Sequence, residues 1–308
     1  MIDDFQQQRV ALSTGVELDV VDLGPKNAPT LIFLHGFPES HRTWRHQLRH
    51  LSGQYRCIAP DQRGYRGSSK PADVADYAPD KLVADIFALA DALNVQNFTI
   101  VGHDWGGAIA LGVALAGQAG GPNPEWAGRV TRAIIANAPH PAIFQRLLLT
   151  NADQRAASQY MRAFRDTAND GLIRDHGIAG LLIHAFGDRV PSGGVNPPEE
   201  IERLRADWED RDACFGMVNW YRASPVNVPD MDAPYAEPPA FDFPKLGMPT
   251  LVIWAMDDMA LPPCNLDGID ALIPNLRVAE VAGCGHFVPW EAADRVNAEI
   301  DQFLAETA

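Results

Sequence analysis

Two periods of apolar residues take turns along the first 138 positions of the chain. Val16, Leu18 and Val20 alternate with polar neighbours behind a Ser13-Thr14-Gly15 turn, so residues 5 to 23 read as an opening hairpin. Thr30 to Leu34 is almost wholly apolar, as a strand covered on both faces requires, and Tyr55 to Pro60 is a similar run ending at Asp61. Between them Trp44, Leu48 and Leu51 recur at helical spacing. After a turn-rich Gly64 to Pro71, Pro79 opens a helix whose Leu82, Ile86, Leu89 and Leu93 form one stripe, with Asn94 at its end. Phe98 to Val101 and Val130 to Ala136 are further short strand-like runs, and a helix of small residues follows the first. Strand and helix in alternation predict a mostly parallel sheet flanked by helices.

The alternation stops after residue 138. From His140 to Asn227 the helical period dominates, in segments Arg146 to Leu149, Gln154 to Arg165, Ile178 to Phe186, Glu199 to Trp208 and Phe215 to Arg222, interrupted by the loop Pro191 to Pro198. The acid-rich Glu199 to Asp212 reads as a solvated helix face. Pro225 to Pro249 carries seven prolines, a density that prevents regular structure and stiffens a connector. Strand-like Thr250 to Trp254 and Leu276 to Val281 then resume the first pattern, and a helix with Val296, Ile300 and Phe303 on one side closes the chain. These shifts divide the sequence into a first core part, residues 1–138, a helical insertion with its proline-rich return, 139–242, and a second core part, 243–308.

Phe98 to Ala110 is the stretch that carries chemistry. A strand ends abruptly, Asp104 stands alone between Gly102-His103 and Trp105-Gly106-Gly107, and a helix begins. Backbone crowds backbone in such a turn, so its flanks must be small, and the apex residue is thrust forward above the sheet. The pattern resembles the nucleophile elbow of α/β-hydrolases, with aspartate where serine or cysteine is more usual. A carboxylate, with an ordinary pKa of about 3.9, is ionised at neutral pH and attacks without a base. It attacks an sp³ carbon bearing a leaving group, since attack on an ester or amide would give only an anhydride. The competing reading of Asp104 is a helix N-cap.

Charge narrows the partners. With 25 basic and 40 acidic residues the net charge is −15, which repels phosphate backbones and anionic membranes, so neither nucleic acid nor membrane is expected. Cys57, Cys214, Cys264 and Cys284 lack metal-like spacing and read as reduced, buried thiols. Residues 1–5 carry no signal-peptide pattern and no run reaches transmembrane length, so a soluble, cytoplasmic protein is the expectation. His41, His46 and His50 fall in one predicted helix and read as a solvated face rather than a metal site.

In an open α/β sheet, ligands sit beyond the carboxyl ends of the strands. Four loops there bear unusual residues: His35 to Pro38, Asp104-Trp105, Asp257-Asp258, and His286. Nucleophile, acid and histidine follow one another in the chain order of α/β-hydrolases. Over nearly its whole length the sequence resembles the epoxide hydrolases of that fold, through His35-Gly36-Phe37-Pro38, Gly102 to Gly107, Asn219-Trp220-Tyr221-Arg222 and Gly285 to Glu291. The resemblance implies an α/β-hydrolase fold with an inserted helical cap. It selects Asp258 over Asp257 as the acid, since Trp254, Ala255 and Ala260-Leu261 align around it, while Asn137 stands at the alternative acid position of related enzymes. It further implies backbone N–H groups of Phe37 and Trp105 as an oxyanion hole, on a loop built by His35, Gly36 and Pro38. Tyr221 becomes a hydrogen-bond donor to the epoxide oxygen.

Family members usually carry two cap tyrosines, and Tyr160 is the better second candidate because Tyr235 lies in the proline-rich return; Tyr160 and Phe164, four apart, equally suit the buried face of a helix. The implied reaction opens a small hydrophobic epoxide with water to a vicinal diol, without metal or organic cofactor. Trp105, Phe37, Phe144, Met217 and Trp220 are expected to shape the substrate site. One departure is Gly64-Tyr65-Arg66-Gly67-Ser68, where relatives commonly have glycine in place of Arg66. A dehalogenase using the same aspartate is the nearest rival, and a silent hydrophobic-ligand binder the rival from another class. Phe37, in place of the asparagine usual in haloalkane dehalogenases, and Trp105, in place of the arginine usual in fluoroacetate dehalogenases, favour the epoxide. The sequence leaves a homodimer open.

Overall fold

The computed structural model describes residues 5–186, 197–238 and 243–307. One eight-stranded sheet runs through them: β1 (Gln7–Ala11), β2 (Glu17–Leu23), β3 (Thr30–Leu34), β4 (Arg56–Pro60), β5 (Phe98–His103), β6 (Val130–Ala136), β7 (Thr250–Ala255) and β8 (Leu276–Val281). Their spatial order is β1-β2-β4-β3-β5-β6-β7-β8. β1 and β2 form the antiparallel hairpin and β2 meets β4 antiparallel, while every pairing from β4 to β8 is parallel. The apolar runs divide by parity, as period two demands. Ile32 and Leu34 belong to one buried cluster and Leu31 and Phe33 to another; Val252 and Trp254 separate likewise from Leu251 and Ile253. Each face is therefore a core.

Helices α1 (Arg45–Leu51), α2 (Pro79–Ala92) and α3 (Trp105–Gly117) alternate with the early strands. Among the described residues, six α-helices lie between β6 and β7: α4 (Pro141–Thr150), α5 (Ala152–Ala157), α6 (Tyr160–Arg165), α7 (Asp170–Phe186), α8 (Pro198–Asp207) and α9 (Arg211–Ala223). Short α10 (Ile269–Leu272) and α11 (Val288–Glu291) and the closing α12 (Ala293–Glu306) complete the chain. Among the described residues no helix is long and apolar enough to cross a membrane.

Several expectations are corrected. The predicted helix Gln154 to Arg165 is two, because the chain turns at Ser158 and Gln159 between α5 and α6. α7 begins well before Ile178 but breaks at Gly177, whose φ of 65° and ψ of −162° only glycine adopts freely. The segment from Glu199 is not a purely solvated face: Glu200 is buried and Asp207 half-buried against core arginines, where paired charge is tolerated. His41 lies in a short 3₁₀ turn, His41–Trp44, buried with its Nδ1 2.9 Å from Asp61. Cys264 is only half-buried, unlike the other three thiols. Of the loop Pro191 to Pro198 and the proline-rich return, residues 191–196 and 239–242 lie outside the described residues, as does the start of the chain, 1–4.

The return shows how a proline-rich segment is held. Proline offers a carbonyl but no N–H, so donors must come from elsewhere. Arg155 is fully buried and donates to the carbonyls of Leu148, Leu149 and Ala233 at 2.9, 3.1 and 2.6 Å. Arg165 donates to Tyr221 and Ser224, and Arg162 to Val228. Three guanidinium groups strap the return onto α5 and α6.

Candidate active site

β5 delivers Asp104 at the carboxyl end of the sheet. Its φ of 54° and ψ of −124° lie outside the ordinary regions for a residue with a Cβ, a cost of about 1–3 kcal/mol that the packed surroundings must impose. Crowding is the imposition. A Cβ on Gly106 would stand 2.3 Å from the carbonyl oxygens of Leu34 and His35, and one on Gly36 would stand 2.5 Å from Asp104 Oδ1. Although Asp104 occupies the N-cap position of α3, its side chain makes no capping hydrogen bond. Instead Oδ1 accepts from the Phe37 N–H at 2.7 Å, and Oδ2 lies 3.3 Å from His286 Nε2. Trp105 is the first residue of α3, where an N–H has no intrahelical acceptor.

His286 presents its other nitrogen, Nδ1, to Asp258 Oδ2 at 2.7 Å. Asp258 is buried and fully engaged: Oδ1 accepts from the backbone of Ala260 and Leu261 at 2.8 and 3.0 Å, and Oδ2 also accepts from Asn137 Nδ2 at 2.8 Å. Asp257 is exposed and points its backbone N–H to Cys284. Asn137, at the alternative position, thus donates to Asp258 rather than facing His286 itself. Burial disfavours the His286 imidazolium, but the facing charges of Asp258 and Asp104 prevail and hold its pKa well above the ordinary value. Burial raises the Asp104 pKa less than His286 and the Phe37 N–H lower it, so the carboxylate is ionised.

The helices between β6 and β7 supply an aromatic roof. Tyr221 on α9 stands edge-on to Phe37 and Trp105, both 5.1 Å away between ring centroids, and 6.1 Å from Tyr160 on α6. Phe164 and Phe186 pack around Tyr160 at 5.3 and 5.0 Å, so this tyrosine is both helix-face packing and a neighbour of Tyr221. Burial, reinforced by the Asp104 charge, raises both phenol pKa values and keeps their protons in place. Tyr235 is exposed and lies against Arg155, away from this group. Trp220 packs 6.0 Å from Trp105 and donates to the Arg63 carbonyl; Phe144 and Met217 are buried in the same apolar cluster without a ring contact to the tyrosines.

The loop before α1 is built by hydrogen bonds. His35 accepts from the Gln62 N–H through Nε2, and burial lowers its pKa to about 4, which keeps it neutral. The Phe37–Pro38 peptide is cis, and the Glu39 N–H closes the turn onto the Gly36 carbonyl at 3.1 Å. Arg66, at φ 46°, sits between Asp61 and Asp207 at 3.3 and 3.4 Å.

Sequence reasoning passed over two buried groups. Glu39 accepts from Trp290 Nε1 at 2.8 Å and Thr43 Oγ1 at 2.7 Å, and burial pushes its pKa up to about 7. His103 places Nε2 2.8 Å from the His286 carbonyl, with Nδ1 3.8 Å from Glu39. Their signal was position: one follows the His-Gly-Phe-Pro loop, the other precedes the apex aspartate.

Known proteins share this fold. The family model described as the alpha/beta hydrolase fold matches residues 29–177 and 122–293. A solved epoxide hydrolase of the alpha/beta hydrolase superfamily, from metagenomes of hot environments, is 60% identical, covers 98% of this chain and 99% of its own, and superposes with a TM-score of 0.92. The epoxide hydrolase of Bacillus megaterium is 30% identical over 97% of this chain and 100% of its own, with a TM-score of 0.81. Epoxide hydrolase 3 of Xenopus tropicalis is 36% identical over 95% of this chain and 76% of its own length. The chain therefore belongs to the α/β-hydrolase fold family, on the side of that family occupied by the epoxide hydrolases.

Proposed function

We propose that the chain is an epoxide hydrolase that works through a covalent ester on Asp104, with residues 139–242 as a cap over a core formed by 1–138 and 243–308. The observation that carries the reading is the division of labour at one carboxylate: Oδ1 is held by the Phe37 N–H and Oδ2 is left facing His286, beneath two phenols. In the first half-reaction Oδ2 attacks an epoxide carbon, the C–O bond breaks, and Tyr221, with Tyr160, donates a proton to the departing oxygen. General-acid help of this kind contributes about 10²–10⁴-fold. In the second, water loses a proton to His286 Nε2 and attacks the Asp104 carboxyl carbon. The charge that develops on Oδ1 is stabilised by the Phe37 N–H and by that of Trp105. Collapse releases the vicinal diol and restores the carboxylate; protons taken from water and given by tyrosine balance over the cycle.

Electrostatics orders the two steps. In the resting site His286 is an imidazolium between two carboxylates and cannot accept a proton. Forming the ester removes the Asp104 charge, one of the two that raise the imidazole pKa, and ring opening leaves a tyrosine phenolate; the imidazolium returns its proton to that phenolate and only then serves as the base for water.

The test is intact-protein mass spectrometry of His286→Gln mixed separately with styrene oxide and with a bromoalkane, followed by peptide mapping. The reading expects an adduct of the whole epoxide mass on Asp104. An alkyl adduct from the bromoalkane alone would move the assignment to a dehalogenase, and a folded, inactive wild type without adducts to a ligand-binding protein.

A further inference from the structure

The oxyanion loop is held from two sides, and one of them is the insertion. On the core side the Phe37 N–H meets Asp104 Oδ1. On the other, Trp208, just beyond α8, donates its indole N–H to the Pro38 carbonyl at 2.9 Å, within the same Gly36–Glu39 turn. Trp208 is itself seated firmly. Its carbonyl packs where a Cβ on Gly177 would stand 2.2 Å away, and it accepts from Cys214 Sγ at 3.1 Å. The preceding Asp207 takes Arg42 at 2.6 Å and Arg66 at 3.4 Å, and Glu200 takes Arg42 at 3.4 Å, so α8 is bound by charge to the residues that follow the loop. Arg66, the departure from the family pattern, is one of the clasps.

We infer that Trp208 is a positioning residue for the oxyanion hole: docking of α8 fixes the turn that aims the Phe37 N–H, and so sets the rate of ester hydrolysis rather than of ester formation. The asymmetry follows from charge. During alkylation the Asp104 carboxylate becomes a neutral ester, so a looser N–H on Oδ1 does not hinder attack. During hydrolysis Oδ1 goes from neutral carbonyl to oxyanion, and the donor is needed where the charge appears. A side chain that merely joined the two parts of the protein would affect both steps alike.

This inference rests on the covalent reading of Asp104. The test is Trp208→Phe, which keeps aromatic bulk and deletes the donor, assayed with styrene oxide by rapid quench and mass spectrometry. Ester formation is expected within about twofold of wild type, and ester decay roughly tenfold slower, less than the ~100-fold or more of losing an oxyanion donor outright. In the steady state kcat and KM then fall together while kcat/KM, which reports steps through alkylation, holds. Asp207→Asn loosens the same contact from its ionic side and is expected to slow decay in the same direction, by less. Equal slowing of both steps, or unchanged decay, overturns the assignment; if Trp208→Phe melts well below wild type, the decay rate of Asp207→Asn decides alone. A wild type that forms no adduct overturns the reading of Asp104 itself, and this inference with it.

Discussion

Glu39 is where a single buried carboxyl governs pH behaviour. Its folded pKa, about 7, lies above the ordinary carboxyl value because burial disfavours the charge. The folded protein therefore holds a proton that the unfolded chain has released, and the stability this brings is full below about pH 4.5 and lost as pH rises through 7. Glu39→Gln preserves an acceptor for Trp290 and removes the titration. Urea melts at pH 5 and pH 8 are expected to show the wild type losing roughly 2–3 kcal/mol relative to the variant over that interval; parallel curves would count against a buried, titrating Glu39. Such a group was illegible in the sequence because its setting is made by contacts far apart in the chain, Trp290 lying 251 positions away. Asp104 and His286 were legible because the local pattern around each declares a turn. Asn137, at the alternative acid position, carries no charge, and its amide serves Asp258 instead.

At the scale of elements, the elbow is a packing solution before it is a chemical one. A methyl group on Gly106 would drive into the Leu34 and His35 carbonyls, which belong to strand β3 and its loop and cannot yield like a side chain. Gly106→Ala is expected to cost at least ~2 kcal/mol by overpacking and, by shifting Asp104, about 100-fold or more in turnover. Gly171→Ala is the contrasting case: it lies in α7 with nothing within 4 Å of a new Cβ, so chemical melts should show it stabilised by ~0.5–1 kcal/mol with activity kept. Strands and core helices were readable because burial on two faces leaves a dense apolar signature, and the change of period after residue 138 marked where helices begin to follow one another. Their breaks were not readable. Ser158 interrupts a segment whose apolar spacing runs on across it, the part of α7 before Gly177 carries too little apolar spacing to be read as helix, and which face of α8 meets the core is decided by Arg42 and Arg66, charges no periodicity contains.

For the whole molecule, the net charge of −15 includes the two carboxylates, Asp104 and Asp258, that flank the His286 ring in the site. The return strapped by Arg155, Arg162 and Arg165 spends three of the 25 basic residues on carbonyl oxygens, where they hold the chain together without offering a cation at the surface of the site. A neutral epoxide feels none of this field, whereas an epoxide carrying a carboxylate is repelled until salt shortens the reach of the charges to about 3–10 Å. Raising sodium chloride from dilute to near molar should leave kcat/KM for styrene oxide flat and lift it severalfold for an anionic epoxide, as initial rates would register; a strong salt dependence for the neutral compound would contradict the account. The acidic surround of the site is thus also a selectivity filter acting at a distance, one that turns away anionic compounds before any side chain of the roof has touched them.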